Sequence, residues 1–240
     1  MIRLAVFGAV LAACSAGGGD LTPTGAAPAG DAGAPGADAG DLDPPPDLAL
    51  PYATRVVSFE PGEGAGYGQN RLPNVVLGPP TGGSTQHGSL DVLSLGKGGS
   101  IVLGFERFAI VDGAGPDLVV FENPFWPGGD ASAVFAEPGE VSVSEDGEIW
   151  ETFPCDAAGD GAGHFAGCAG VTPSRTYDAE ATPLDPSLTG GDVFDLADVG
   201  QKTAKFVRIR DVSLAGAPPT AGFDLDAVGI VSAAPLDAEP

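Results

Sequence analysis

Turn residues constrain this chain more than any other feature. Thirty-eight glycines and 23 prolines punctuate its 240 residues, and beyond the first 14 no stretch sustains the 3.6-residue apolar spacing of an amphipathic helix. The runs between the turn clusters are short and rich in β-branched and aromatic side chains. They fall near 54–59, 75–77, 91–95, 100–105, 118–122, 140–144, 150–153, 205–212 and 226–231. One series with no second linker predicts a single all-β domain over residues 51–233, an antiparallel β-sandwich with a sizeable core. Val141-Ser142-Val143-Ser144 alternates most clearly, which directs the valines to the core and the serines to water. Glu145-Asp146-Gly147 then supplies a turn, with Gly147 suited to positive φ, before Trp150 opens the return strand as a core residue. In the run 205–210, Phe206 or Val207 packs inward with Ile209, while Arg208 and Arg210 share the opposite face. Residues 156–204 carry little strand signal and much Pro, Asp and Gly, so they read as a long irregular excursion and the first place to look for specificity.

The N-terminus sets an address. Met1 and Arg3 precede an apolar run that ends in Leu11-Ala12-Ala13-Cys14, too short for the roughly 20 residues of a membrane span and closed by small residues. This pattern resembles the lipobox of bacterial lipoproteins; the alternative is an ordinary secretory signal. The resemblance implies a signal peptide over 1–13 and a covalent lipid on Cys14, with Ser15 directing the protein to the outer membrane. Several acyl chains hold a protein stably where one is marginal, at about 0.8 kcal/mol per buried methylene. Residues 14–50 are Ala, Gly, Pro and Asp with almost no large apolar side chain, which predicts a disordered tether. A flexible chain of that length has a root-mean-square span of roughly 30–35 Å, enough to lift the domain clear of the bilayer. A surface-exposed position and a periplasm-facing one both fit that address. A short tail over 234–240 reads as disordered.

A formal charge of -23 with only ten basic residues argues against nucleic acid as a partner, since like charge repels a phosphate backbone. The carboxylates serve either solubility outside the cell or the coordination of a hard cation such as calcium. With Cys14 taken by lipid, Cys155 and Cys168 remain as a pair in an oxidising compartment, which predicts a disulfide between them. His164 lies between the two, but the spacing does not fit a zinc ribbon.

Several segments together resemble a discoidin-type, galactose-binding-like β-sandwich. They are Asn74-Val75-Val76-Leu77-Gly78-Pro79-Pro80, Leu95-Gly96-Lys97-Gly98-Gly99-Ser100-Ile101-Val102-Leu103, the hairpin Val143-Ser144-Glu145-Asp146-Gly147 with Trp150, and the strand Phe206-Val207-Arg208-Ile209. The segments Asp112-Gly113-Ala114-Gly115-Pro116-Asp117, Val120-Phe121-Glu122-Asn123-Pro124 and Gly222-Phe223-Asp224-Leu225-Asp226-Ala227-Val228 are similar to those of bacterial cell-surface proteins of this fold. The resemblance covers about 54–232 and implies a jelly-roll of two antiparallel sheets, frequently with a structural calcium ion and with ligand-binding loops at one end. It implies no particular ligand, because such folds host unrelated functions.

Asp112, Asp117, Glu122, Asp224 and Asp226 are the candidate calcium ligands, with Gly113 and Gly115 leaving room for backbone carbonyls. On that reading one ion joins the turn at Asp112 to the closing strand; the alternative is turn aspartates that cap local amides. Asp195 and Asp198 fit a short surface turn better than a ligand set. Trp126, Phe125, Tyr67 and Tyr177 lie among Gly and Pro and are the candidate ring platforms for a ligand; the alternative is that they fold back onto the core edge. Neither histidine sits in a nucleophile, metal or acid–base motif, and there is no G-x-S-x-G elbow or phosphate loop. The expected function is therefore non-enzymatic: a lipid-anchored binding protein for carbohydrate or another extracellular ligand, or else a structural or protein-interaction lipoprotein, with a two-carboxylate hydrolase the least favoured alternative.

Overall fold

The computed structural model describes residues 52–161, 164–175 and 184–236. Cys14, the signal, the tether and Tyr177 lie outside the described residues. Every ladder is antiparallel. One layer is a five-stranded sheet whose order is β1 (Arg55–Glu60), β3 (Ser100–Gly104), β10 (Phe206–Asp211), β6 (Gly139–Ser144) and β7 (Glu151–Thr152). Facing it are two three-stranded sheets. One runs β12 (Ala227–Ile230), β5 (Leu118–Phe121), β8 (Asp192–Phe194), and the other β13 (Ala233–Pro235), β4 (Phe108–Val111), β9 (Thr203–Ala204). A two-stranded ladder of β2 (Leu93–Ser94) and β11 (Asp224–Leu225) completes this β-sandwich.

Period-2 alternation builds the core. Ile101, Leu103, Val141, Val143, Val207 and Ile209 point from the five-stranded sheet onto Leu118, Val120, Phe194, Val228 and Ile230. Between Phe206 and Val207, therefore, Val207 is the inward residue and Phe206 lies on the outer face. On β1 the register shifts between Val56 and Ser58, so that Val56 and Phe59 both turn to the core although three positions apart. All four residues of β5 are buried, Leu118 and Val120 in the main core, Val119 and Phe121 in a second cluster with Tyr52, Leu184 and Ala227.

Some expectations change. Ser142 and Ser144 are buried instead of facing water, because the Ser142 hydroxyl pairs with Thr152 and that of Ser144 accepts the Gly147 amide. Residues 75–77 form no strand. Asn74–Val76 is a 3-10 turn with Val75 and Val76 both buried, a pairing that an alternating strand with one wet face does not allow. The described part of 156–204 does more than wander over the surface. It supplies β8, β9 and a helix, α1 (Pro186–Thr189), and it buries Leu184, Phe194, Leu196 and Ala204. Asp192 ties this stretch down by accepting the amides of Gly170, Val171 and Thr172. Ordered chain also passes the expected limit at 233, since β13 pairs with β4. The Cys155–Cys168 disulfide is formed.

Candidate functional site

The outer face of the five-stranded sheet holds a cleft of about 490 Å³. Register determines what lines it. Ser142 pairs with Thr152 and Val143 with Glu151, so continuing that ladder sets Trp150 on the same side as Ser142 and Ser144, away from the core. Trp150 is accordingly half-buried and lines the cleft, and the core position expected of it is taken by Phe153, three residues on. The indole nitrogen donates to Gly147 O at 3.2 Å, and the Arg208 guanidinium lies 4.5 Å from the ring centroid. Arg55 lies 5.4 Å from the centroid of Phe206. Both contacts fall within the roughly 6 Å range of cation–π attraction.

Asp146 and Glu60 bring negative charge to the same cleft. Asp146 accepts the amides of Ile149 and Glu148, which together hold its carboxyl below the usual range. Gly147, at φ 80, provides the left-handed step that closes this hairpin. The cleft thus sets two aromatic rings among two guanidinium groups and two carboxyl groups.

The loop aromatics expected to form the platform lie elsewhere and do not line this cleft. Phe125 stacks on Phe135 with centroids 5.1 Å apart. Trp126 is half-buried, and its backbone amide donates to Thr85 O. Tyr67 donates its hydroxyl to Leu90 O and lies beneath the Arg71 guanidinium.

The structure divides the five candidate calcium ligands among three places. Asp112 and Asp117 gather with Asp195. There Asp117 accepts the amides of Gly113 and Leu196, Asp195 caps a 3-10 turn through the Ala197 amide, and Asp112 pairs with Lys202, whose ammonium is held more basic by that contact. These are turn-capping roles. Asp226 belongs to neither acidic group; it accepts the Thr81 amide at 3.1 Å and is pushed up to about 8 by burial and then by the charge of Asp91. An ion bridging Asp112 to Asp226 therefore has no counterpart in this arrangement.

The third place is a buried acidic centre. Glu122 follows β5 directly, Asp224 opens β11, and Glu137 stands two residues before β6. Each offers an oxygen within 4.8 Å of the others, and they are 1%, 7% and 6% exposed. Burial raises all three: Glu122 well above its ordinary range, with the Asp224 and Glu137 charges adding, Glu137 to about 8 and Asp224 to about 6. The Asp224 amide donates to Glu122 Oε1 at 3.3 Å, and Asn123 donates to Asp224 Oδ2 at 3.4 Å. Ser94 lies close enough to Asp224 to favour its charged form, yet its hydroxyl makes no hydrogen bond of proper geometry.

Sequence reasoning found Glu122 and Asp224 but missed Glu137. Lying between Ala136 and Pro138, it carries no spacing signal, and only the fold brings it to the other two. No protein-family model matches the chain, and no curated protein matches it significantly.

Proposed function

We propose that this chain is a non-catalytic binding protein, displayed from the outer membrane by a lipid on Cys14, and that carbohydrate occupies the cleft on its five-stranded sheet. The observation that supports this is the composition of the cleft: the rings of Trp150 and Phe206 stand beside Arg55, Arg208, Asp146 and Glu60. A sugar ring offers an apolar C–H face and a rim of hydroxyls. Aromatic surface takes the first, while guanidinium donors and carboxylate acceptors take the second. The volume lies within the roughly 300–1,000 Å³ usual for small-ligand sites. A protein partner is the second reading, favoured by the stacked pair Phe125 and Phe135, in which Phe135 is 48% exposed.

A glycan array probed with the full chain tests the proposal. Trp150→Ala should weaken any glycan bound by at least tenfold, consistent with the roughly 2 kcal/mol or more of a central aromatic anchor. Its unfolding midpoint should change little. Binding that survives Trp150→Ala, or an array with no signal, refutes the carbohydrate reading. The anchor is tested separately, since Cys14→Ser should abolish incorporation of labelled palmitate.

A further inference from the structure

We infer that Glu122, Glu137 and Asp224 form a binding site for one hard divalent cation, with calcium the best fit. The inference is independent of the cleft and its ligand. The three carboxyl groups come from distant points of the chain and converge where water is excluded. The ion pairs among the described residues are Arg71 with Asp91, His164 with Asp160, Lys202 with Asp112 and Arg210 with Glu140, so no basic side chain neutralises this centre.

The second observation is a set of unpartnered oxygens. Glu122 Oε2 and Asp224 Oδ1 are buried and receive no hydrogen bond, and the same is true of Ser94 Oγ, which belongs to the residue paired with Asp224 across the β2–β11 ladder. Their companion oxygens are satisfied, Glu122 Oε1 by the Asp224 amide and Asp224 Oδ2 by Asn123. One side of each carboxyl group is thus held by the protein and the other is left unmatched. A buried carboxylate oxygen without a donor is unfavourable unless an ion takes the donor's place.

The donor set selects the ion. All the candidate ligand atoms are oxygens, with no thiolate or imidazole among them, which suits a hard cation. Two oxygens on one calcium can be no farther apart than about twice 2.3–2.6 Å, and the three carboxyl groups, all within 4.8 Å of one another, are close enough to share one ion. Magnesium dehydrates reluctantly and keeps several waters, so it fits a dry cluster less well. The ion would join the end of β5 to the start of β11 and to the segment that leads into β6.

The test uses the full chain stripped with EDTA and dialysed against calcium-45. Wild type should bind one calcium per chain in this centre. At 100-fold over the dissociation constant its unfolding midpoint should rise by roughly 5–10 °C, the equivalent of about 2.7 kcal/mol for a domain of this size. Glu137→Gln should weaken calcium at least tenfold, and Glu122→Gln serves if that variant folds poorly. In the metal-free state neither should lower the midpoint, since glutamine matches glutamate in size and keeps one acceptor oxygen. Asp112→Asn and Trp150→Ala should leave the calcium response intact. The inference is overturned if wild type binds no calcium and melts identically with EDTA and with calcium, as three protonated acids would. It is equally overturned if Asp112→Asn abolishes binding while Glu137→Gln preserves it, and a midpoint rise with magnesium equal to that with calcium overturns the choice of ion.

Discussion

Asp211 closes β10, and its substitution should separate a buried hydrogen bond from several exposed ones. The side chain is 1% exposed. Oδ1 accepts the Phe223 amide at 2.9 Å, the Ser213 amide at 3.3 Å and the Ser213 hydroxyl at 2.6 Å; Oδ2 accepts the amides of Gly98 at 2.9 Å and Leu214 at 3.2 Å. One carboxyl group therefore fastens the turn before β3, the end of β10 and the approach to β11. Asp211→Ala removes all five contacts. Gly98 and Leu214 are exposed and Ser213 is half-exposed, so water replaces the lost oxygen there and each contact costs about 0.5–1 kcal/mol. The Phe223 amide is buried and would be stranded, at about 1–3 kcal/mol. The total is roughly 3–7 kcal/mol, a large part of the 5–15 kcal/mol that holds a domain together. Asp211→Asn keeps one oxygen. Turned toward Phe223 and Ser213, it preserves the buried bond and sets its NH2 against Gly98 and Leu214, where water can intervene, so the cost falls to about 1–2 kcal/mol. Urea unfolding followed by circular dichroism, with m-values compared, gives both numbers. If Asn costs as much as Ala, or Ala costs under about 1 kcal/mol, loss of Asp211 does not strand the Phe223 amide.

Two further outcomes are expected. Replacing both Cys155 and Cys168 by serine opens a loop with a sequence separation of 13 and should lower stability by about 3 kcal/mol on the chain-entropy estimate; urea midpoints that match wild type would contradict it. Burial lifts Asp192 to about 6 from an ordinary 3.8, against the pull of three backbone amides. The folded chain therefore retains a proton there that the unfolded chain releases. The stability from this group is complete below about pH 4 and disappears as pH rises through 6, at most about 3 kcal/mol at 1.36 kcal/mol per pH unit. Urea unfolding of metal-free wild type and Asp192→Asn at pH 4 and 7.5 measures this share, and equal slopes for the two proteins would remove it.

Strands were legible where apolar spacing ran for four residues or more. The runs at 54–59, 91–95, 100–105, 118–122, 140–144, 150–153, 205–212 and 226–231 all became strands, with boundaries moved by a residue or two. β4 escaped notice because its two central residues are both buried and its ends half-buried, which breaks the period-2 pattern. β9 and β11 are two residues long, too short for any period to register. At the sites, residue type was easier to read than placement. Trp150 was legible as part of a hairpin, but its face depends on how β7 pairs with β6. Asp224 and Asp226 differ by two positions in sequence and serve different neighbours, Glu122 and Thr81. Such long-range juxtapositions leave no trace in local composition.

The central strand of the second layer bears on how the chain folds. β5 is buried on both faces, and its partners come late: Leu118 pairs with Phe194 on one side and with Ile230 on the other. Neither local turns nor the disulfide loop can bring these segments together, so loop closure over most of the domain precedes the gain from pairing. Acquisition of the native state is therefore slow by topology and, during synthesis, waits on the emergence of β12. Until then the four apolar residues of β5 are an unpaired edge open to association with other chains. The amides of this strand should be the last to exchange with solvent, because they open only when the whole domain does.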